Sequence, residues 1–409
     1  MKKRLICMVL VLCLLMATAA CGGGKPAATA SPPSSNTPEA SASETGSPET
    51  SVPEGDKPDI KIGHIVHMTG GAVESGSYEK QGAELAVEEI NAAGGVNGHK
   101  LVLVQEDGQS SNPGVVAAFQ KLLEDEEIVA IIGPSPSTQV AAMIPTITEA
   151  MIPVATGGTN YSLTHSDCPW IFRFRPHDGM SAGAMAKFVV EDIKSSNVAI
   201  LHSTDAFGTG GRDMAVAALE ALGVTPVLIQ GYNNEEKDFT GVITALKQSG
   251  ADAMISYMTF SPDLGIFAQQ RVQQGLEIEW IGSPSITAVA GRNLAGEALY
   301  GTYGVADFHV DGNEIASAYG KAYSEKFGKD PDFYSSWTYD TVYIFAEAFK
   351  VAPDLEADSI REAILGVQGY EGAEGVYNFD ENGDGLDSYH IVINENDEIK
   401  VVKTIQVER

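Results

Sequence analysis

From Ile60 onward the chain alternates short, β-rich apolar runs with stretches whose apolar residues recur at helical spacing. That alternation dictates a parallel α/β sheet. The first series contains IKIGHIVHM (60–68), KLVLVQED (100–107), IVAIIG (128–133) and MIPVATGG (151–158), separated by SYEKQGAELAVEEINAAGG, PGVVAAFQKLLEDEE and STQVAAMIPTITEA. The pattern then restarts with NVAILHS (197–203), PVLIQGY (226–232), ADAMISYM (251–258) and EWIGS (279–283), again with helical stretches between. Strong helical signals follow in NEIASAYGKAYSEKFG, WTYDTVYIFAEAFK and LEADSIREAILGV, and then a strand-like SYHIVINENDEIKVVKTIQ. Two successive sheets imply two lobes. Ligands of open parallel sheets collect outside the carboxyl ends of the strands, so two facing sheets share one cleft.

The segment before this series reads differently. Residues 1–20 carry Lys2, Lys3 and Arg4, an apolar core too short for a membrane span, and then small residues, as an export signal does. Thr18-Ala19-Ala20-Cys21 resembles a bacterial lipobox, with Thr18 where a larger aliphatic residue is usual. The expectation is a lipid on Cys21 and a chain held on the outer face of the cell membrane, on the periplasmic side where an outer membrane exists. Residues 21–58, rich in Gly, Pro, Ser, Thr and Ala, hold almost nothing to bury and suit a disordered tether.

The whole chain has 26 basic and 55 acidic residues, a net charge of −29 that deepens once the three basic residues of the signal are removed. Such a surface repels nucleic acid. Of four cysteines, Cys7 and Cys13 belong to the signal and Cys21 to the lipid site, which leaves Cys168 without an intrachain partner.

One loop carries a chemical hint. GPSPSTQ (133–139) follows the apolar run 128–132 and opens onto a helix. Ser135, Ser137 and Thr138 then either cap that helix or join backbone N–H groups in holding an anion.

Rival chemistry reads weakly. GMSAG (179–183) matches the G-x-S-x-G pattern and makes a serine hydrolase with Ser181 as nucleophile the remote alternative. Arg175-Pro176-His177-Asp178 nevertheless intervene between the strand-like WIFRF and that serine, where a nucleophile elbow needs a direct turn. DENGDG (380–385) has calcium-loop spacing but Ile391 at the twelfth position, where the loop needs a bidentate Glu. His64 and His67 fall on opposite faces of a strand and do not chelate one metal. No phosphate-binding G-x-x-x-x-G-K-[ST] motif occurs, so the chain is not an ATPase of that type. No enzyme, cofactor or metal is expected.

Beyond the tether, INAAGGVNGHKL, EKDFTGVI, FRFRPHDGMSAGAMAKF, AILHSTDAFGTGGRDM and DLGIFAQQRVQQG resemble, in order, the branched-chain amino-acid-binding proteins of ABC transporters. The resemblance implies a type I periplasmic-binding fold: two α/β lobes, each a parallel sheet flanked by helices, joined by three crossover strands near Pro176, Val305 and Tyr377. Lobe 1 would comprise 59–176 plus 308–376, and lobe 2 would comprise 177–307 plus 377–409. A monomer would close over its ligand and pass it to an ABC permease.

By the same resemblance, Ser135, Ser137, Thr138, Gly157, Gly158 and Thr159 would hold the α-carboxylate of an amino acid, with Ser75 beside them. Phe207 and Phe260 would wall the ligand from the other lobe. The family's acidic partner of the α-ammonium falls at Pro284, which cannot serve. Either Asp178, Asp205 or Asp263 substitutes, or the ligand is a carboxylate or amide without an amino group.

Overall fold

A computed structural model describes residues 57–406. The export signal, Cys21 and the tether up to residue 56 lie outside the described residues, as do 407–409. Among the described residues no helix is long and apolar enough to cross a membrane.

The first series folds as β1 (Ile60–Val66), α1 (Val73–Ala92), β2 (Leu101–Asp107), α2 (Asn112–Leu122), β3 (Ile128–Ile132), α3 (Ser137–Ala150), β4 (Val154–Thr156) and β5 (Ile171–Arg173). Its strands pair in parallel in the order β2-β1-β3-β4-β5. β4 is shorter than MIPVATGG suggests. Pro153 lacks an N–H to donate and Gly157-Gly158 leave the ladder, so only three residues pair.

The chain then crosses to α4 (Asp178–Lys187), which continues as a π-helix over Phe188–Ile193. The second series follows: β6 (Val198–Ser203), α5 (Ala206–Ala221), β7 (Leu228–Tyr232), α6 (Thr240–Ser249), β8 (Ala253–Tyr257), α7 (Ser261–Gln273), β9 (Glu279–Gly282), α8 (Val289–Ala295) and β10 (Tyr303–Ala306). From there the chain returns to the first sheet as α9 (Glu314–Phe327), α10 (Phe333–Val351), α11 (Ala357–Leu365) and a small antiparallel pair, β11 (Gln368–Glu371) with β12 (Val376–Asn378). It ends on the second sheet as β13 (Ser388–Glu395) and β14 (Glu398–Gln406). The second sheet runs β14-β13-β10-β9-β8-β6-β7. The C-terminal strand-like stretch is thus a hairpin. Asn396 and Asp397 both take positive φ at its tip, as a tight two-residue turn requires.

Each sheet is covered on both faces, as parallel sheets must be. α1, α9, α10 and α11 close one face of the first sheet around Phe345, Trp337 and Tyr323, while α2 and α3 close the other around Phe119 and Met143. In the second sheet α4 and α5 pack around Phe188 and Leu219, and α6 and α7 pack around Phe239, Phe267 and Trp280. Because α9–α11 complete the first lobe only after the second sheet has begun, the chain passes between the lobes three times, at 174–177, after β10 and before β13.

These crossings are tied to one another. The Arg175 Nε donates to Asp307 Oδ2 at 2.6 Å, linking the first to the second. The Tyr377 hydroxyl donates to the Phe174 carbonyl at 3.1 Å and the Tyr389 hydroxyl to the Pro176 carbonyl at 3.0 Å, linking the third to the first.

Candidate functional site

The carboxyl ends of the two sheets face a common cavity with about 480 Å³ of empty space, part of it open to solvent. Seven parallel strands feed its wall. β1 leads to Ala72 and Ser75, β3 to Ser135, Pro136 and Ser137, β4 to Gly157 and Thr159, and β5 to Arg175. From the opposite sheet β6 leads to Phe207, β8 to Thr259 and Phe260, and β9 to Pro284 and Ser285. Phe333 and Tyr334, opening α10, complete it.

The hydroxyls of GPSPSTQ do not cap their own helix. The residue before α3 is Pro136, and no side chain caps that end. Instead Ser137 Oγ accepts from Asn160 N at 3.2 Å, tying this loop to the one after β4. Thr138 Oγ1 accepts from Ala206 N at 2.9 Å, a bond to the opposite lobe. Ser135 is left facing the cavity.

The second loop is shaped by its neighbours. Thr156 Oγ1 donates to the Pro134 carbonyl at 2.8 Å and accepts from Gly158 N at 2.9 Å, so the Gly158 N–H is already engaged. Gly157 has no room for a side chain: a Cβ there would stand 2.7 Å from Trp337 Cε2 and 2.8 Å from Ser135 Oγ. A close approach of this kind admits only glycine.

Of the residues expected at a ligand, the fold brings Ser75, Ser135, Ser137, Gly157, Thr159, Phe207 and Phe260 to the cavity wall. Thr138 and Gly158 lie behind it. Asp205 caps α5, accepting from Gly208 N at 2.9 Å, Thr259 Oγ1 at 2.7 Å and Asn234 Nδ2 at 2.8 Å, so its oxygens are occupied by the protein. Asp263 accepts from Glu235 N at 2.9 Å, and burial lifts its carboxyl to about 6.

Asp178 is different. It opens α4, is 1% exposed, and neither carboxylate oxygen has a well-formed hydrogen bond among the described residues. Its N–H donates to the Thr159 carbonyl at 2.7 Å, which places it directly behind the cavity wall. Burial pushes its pKa up to about 7, against the pull of the Thr159 hydroxyl, Arg173 and Arg175. A buried carboxylate with vacant lone pairs is a ready partner for a cation.

Arg175 was not singled out by sequence reasoning. Its Nη1 donates to the Gly157 carbonyl at 3.1 Å, and the guanidinium lies 4.3 Å from the Phe333 ring centroid. Burial opposes its charge, but Asp307 and Glu374 outweigh burial, so it stays protonated. The cavity thus presents one fixed cation, several neutral donors and an aromatic side. Such an arrangement can hold a carboxylate and an apolar body.

Ser181 belongs to a helix rather than to a strand-to-helix elbow. Its Oγ lies 2.7 Å from the Tyr257 hydroxyl and 3.0 Å from the Asp178 carbonyl, fully buried. In DENGDG, Asp384 receives Arg173 Nε at 2.7 Å, and Asp380 Oδ1 accepts the N–H groups of Asn382 and Asp384 at 2.9 Å each, so the acids organise a turn.

Two facing parallel sheets with a hinged cavity between them define a two-lobed solute-binding protein. The chain belongs to the periplasmic binding protein family, whose model matches residues 59–392. It is 30% identical to an amino acid binding protein of Pseudomonas aeruginosa over 72% of this chain and 79% of that one. It is 26% identical to Leu/Ile/Val-binding protein homolog 1 of Brucella abortus, over 80% of this chain and 87% of the relative. Among solved structures, the leucine-binding protein LivK of Thermotoga maritima superposes with a TM-score of 0.79 at 24% identity, covering 85% of this chain and all but 1% of that chain, 99% being matched. The LivJ protein of Streptococcus pneumoniae, solved with isoleucine, gives 0.79 at 22% over the same shares, 85% and 99%. These are binding proteins, and the chain is a binding protein rather than an enzyme.

Proposed function

We propose that the chain is the extracytoplasmic solute-binding lipoprotein of an ABC importer. It captures a small amino acid, branched-chain or otherwise hydrophobic, between lobes 59–176 plus 308–376 and 177–307 plus 377–409, and delivers it to a membrane permease while tethered through Cys21. The observation that carries this reading is the buried carboxylate of Asp178, without a well-formed hydrogen bond among the described residues, behind a cavity of hydroxyl donors. Ser135, Thr159 and Arg175 receive the α-carboxylate. Asp178 takes the ammonium in place of the acid that Pro284 lacks. Phe207 and Phe260 enclose the side chain, and closure follows because contacts from both lobes exist only when the cleft is shut.

Charge-assisted hydrogen bonds contribute roughly 1.5–3 kcal/mol each. Three or four of them, less desolvation and immobilisation, support micromolar affinity at about −8 kcal/mol. Pro284 in the wall favours a second reading, a carboxylate without an amino group.

A thermal-shift series separates the two. Hydrophobic amino acids raise the unfolding midpoint and deaminated carboxylates of the same skeleton do not; the reverse pattern establishes the second reading. Ser135→Ala with Thr159→Val abolishes the shift in a folded protein, and an unchanged shift would remove these loops from the site.

A further inference from the structure

Behind the cavity wall sits a buried acid that ligand contact does not explain. Glu79, on the first turns of α1, is 1% exposed. Its backbone is pinned by the Thr338 hydroxyl, which donates to the Glu79 carbonyl at 2.8 Å. Its carboxyl group lies against the Ser135 hydroxyl and the Trp337 indole, while Oε2 meets no well-formed hydrogen bond. The Trp337 Nε1 likewise forms no well-formed hydrogen bond among the described residues. The Cβ position of Gly157 lies 2.8 Å from Ser135 Oγ and 2.9 Å from Trp337 Nε1, so hydroxyl and indole converge on one point of the wall.

We propose that Glu79 is a positioning residue that sets the polarity of the Ser135 hydroxyl, and that this makes carboxylate capture depend on a single buried proton. This rests on the reading that the cavity binds a carboxylate at Ser135. A neutral carboxyl donates its O–H to Ser135 Oγ, and the serine then turns its own O–H into the cavity, toward the ligand. Once the proton leaves for solvent, Glu79 can only accept. Ser135 then gives its hydrogen to Glu79 and presents lone pairs to the incoming carboxylate, with a second negative charge behind them. Two acceptors facing one another repel, and the low local dielectric magnifies the effect.

The surroundings favour the neutral form around neutrality. Burial pushes Glu79 up to about 8, against the Ser135 hydroxyl, the Arg175 cation and the Trp337 indole, while Asp332 at the start of α10 adds to the rise. Arg175 is itself held by Asp307, which limits its pull.

The test is calorimetric titration of the purified chain with L-leucine between pH 6 and 9.5. Below about pH 7 protonation of Asp178 weakens leucine in wild type and Glu79→Gln alike. Above about pH 8 the wild type should weaken about tenfold per unit relative to Glu79→Gln, because the competent fraction falls in that proportion. Glu79→Gln, whose amide N–H donates to Ser135 at every pH, should bind as tightly at pH 7 and lose that fall. Ser135→Ala should bind more weakly, and in its background Glu79→Gln should change nothing. Parallel pH profiles for wild type and Glu79→Gln overturn the inference while leaving the amino-acid reading intact. Failure of L-leucine, and of its deaminated analogue, to bind at about pH 7.5 overturns that reading, and the inference with it.

Discussion

Asp178 shows how burial raises the affinity of an ordinary acid for its proton and at the same time charges the fold for keeping it. Its pKa rises from 3.8 to about 7, so the native state prefers the proton that the unfolded chain releases. The sign follows: stability from this group is complete below about pH 4, declines as pH rises toward 7, and is lost above it. At 1.36 kcal/mol per unit, the penalty at pH 8 is about 4 kcal/mol. Asp178→Asn should therefore be more stable than the wild type at pH 8, with the gap closing toward pH 4 in urea titrations. It should also weaken an amino acid at least tenfold while sparing a deaminated analogue. Equal stability across pH would show that the carboxylate is solvated after all. Asp178 could be flagged from sequence because it follows a strand and precedes a helix. Glu79 and Arg175 could not. Glu79 lies in an ordinary helical stretch among exposed acids, and nothing local tells that α10 arrives from residue 333 to bury it.

At the scale of elements, sequence periodicity located most strands of both sheets to within a few residues, because β-branched runs bounded by Gly and Pro leave few alternatives. β10, however, was reached only through the crossing near Val305 that the family resemblance implies. The hairpin of β13 and β14 was legible only as one strand-like stretch. Its turn, Asn396-Asp397, sits between acidic residues that break no apolar pattern. The crossovers were least legible of all, since they are held by pairs far apart in sequence. Arg175 and Asp307 are both buried, and their bond joins two connections that could otherwise slide. Breaking such a pair by removing one partner leaves an uncompensated charge and costs roughly 3–5 kcal/mol. Asp307→Asn should lower the unfolding free energy by about that amount in a urea melt. Replacing both partners, as in Arg175→Met with Asp307→Leu, should restore much of it; equal losses in single and double variants would show that the pair itself, and not the orphaned charge, carries the stability.

For the whole molecule, affinity depends on closure as well as on contacts in the cavity. The lobes meet at a small cluster outside the cavity's carboxylate wall. Ala206 N donates to Thr138 Oγ1 at 2.9 Å, and Asn160 Nδ2 donates to the Ala206 carbonyl at 2.6 Å. Thr138 and Asn160 stand on the two loops of the first sheet, whereas Ala206 opens α5 of the second. These bonds bridge the two lobes, so a parting of the lobes would break them, and they would then weigh on the fraction of molecules able to trap a ligand. Measured affinity scales with that fraction. Thr138→Val keeps the shape but leaves the Ala206 N–H unpaired on closing, which costs about 1–2 kcal/mol of closed state. The variant should therefore bind every ligand about five- to thirtyfold more weakly, with no change in selectivity between leucine, isoleucine and valine. Small-angle scattering should show a larger radius of gyration without ligand and the wild-type value at saturation. A change in selectivity, rather than a uniform loss, would place Thr138 in contact with the ligand and remove the cluster from the closing equilibrium.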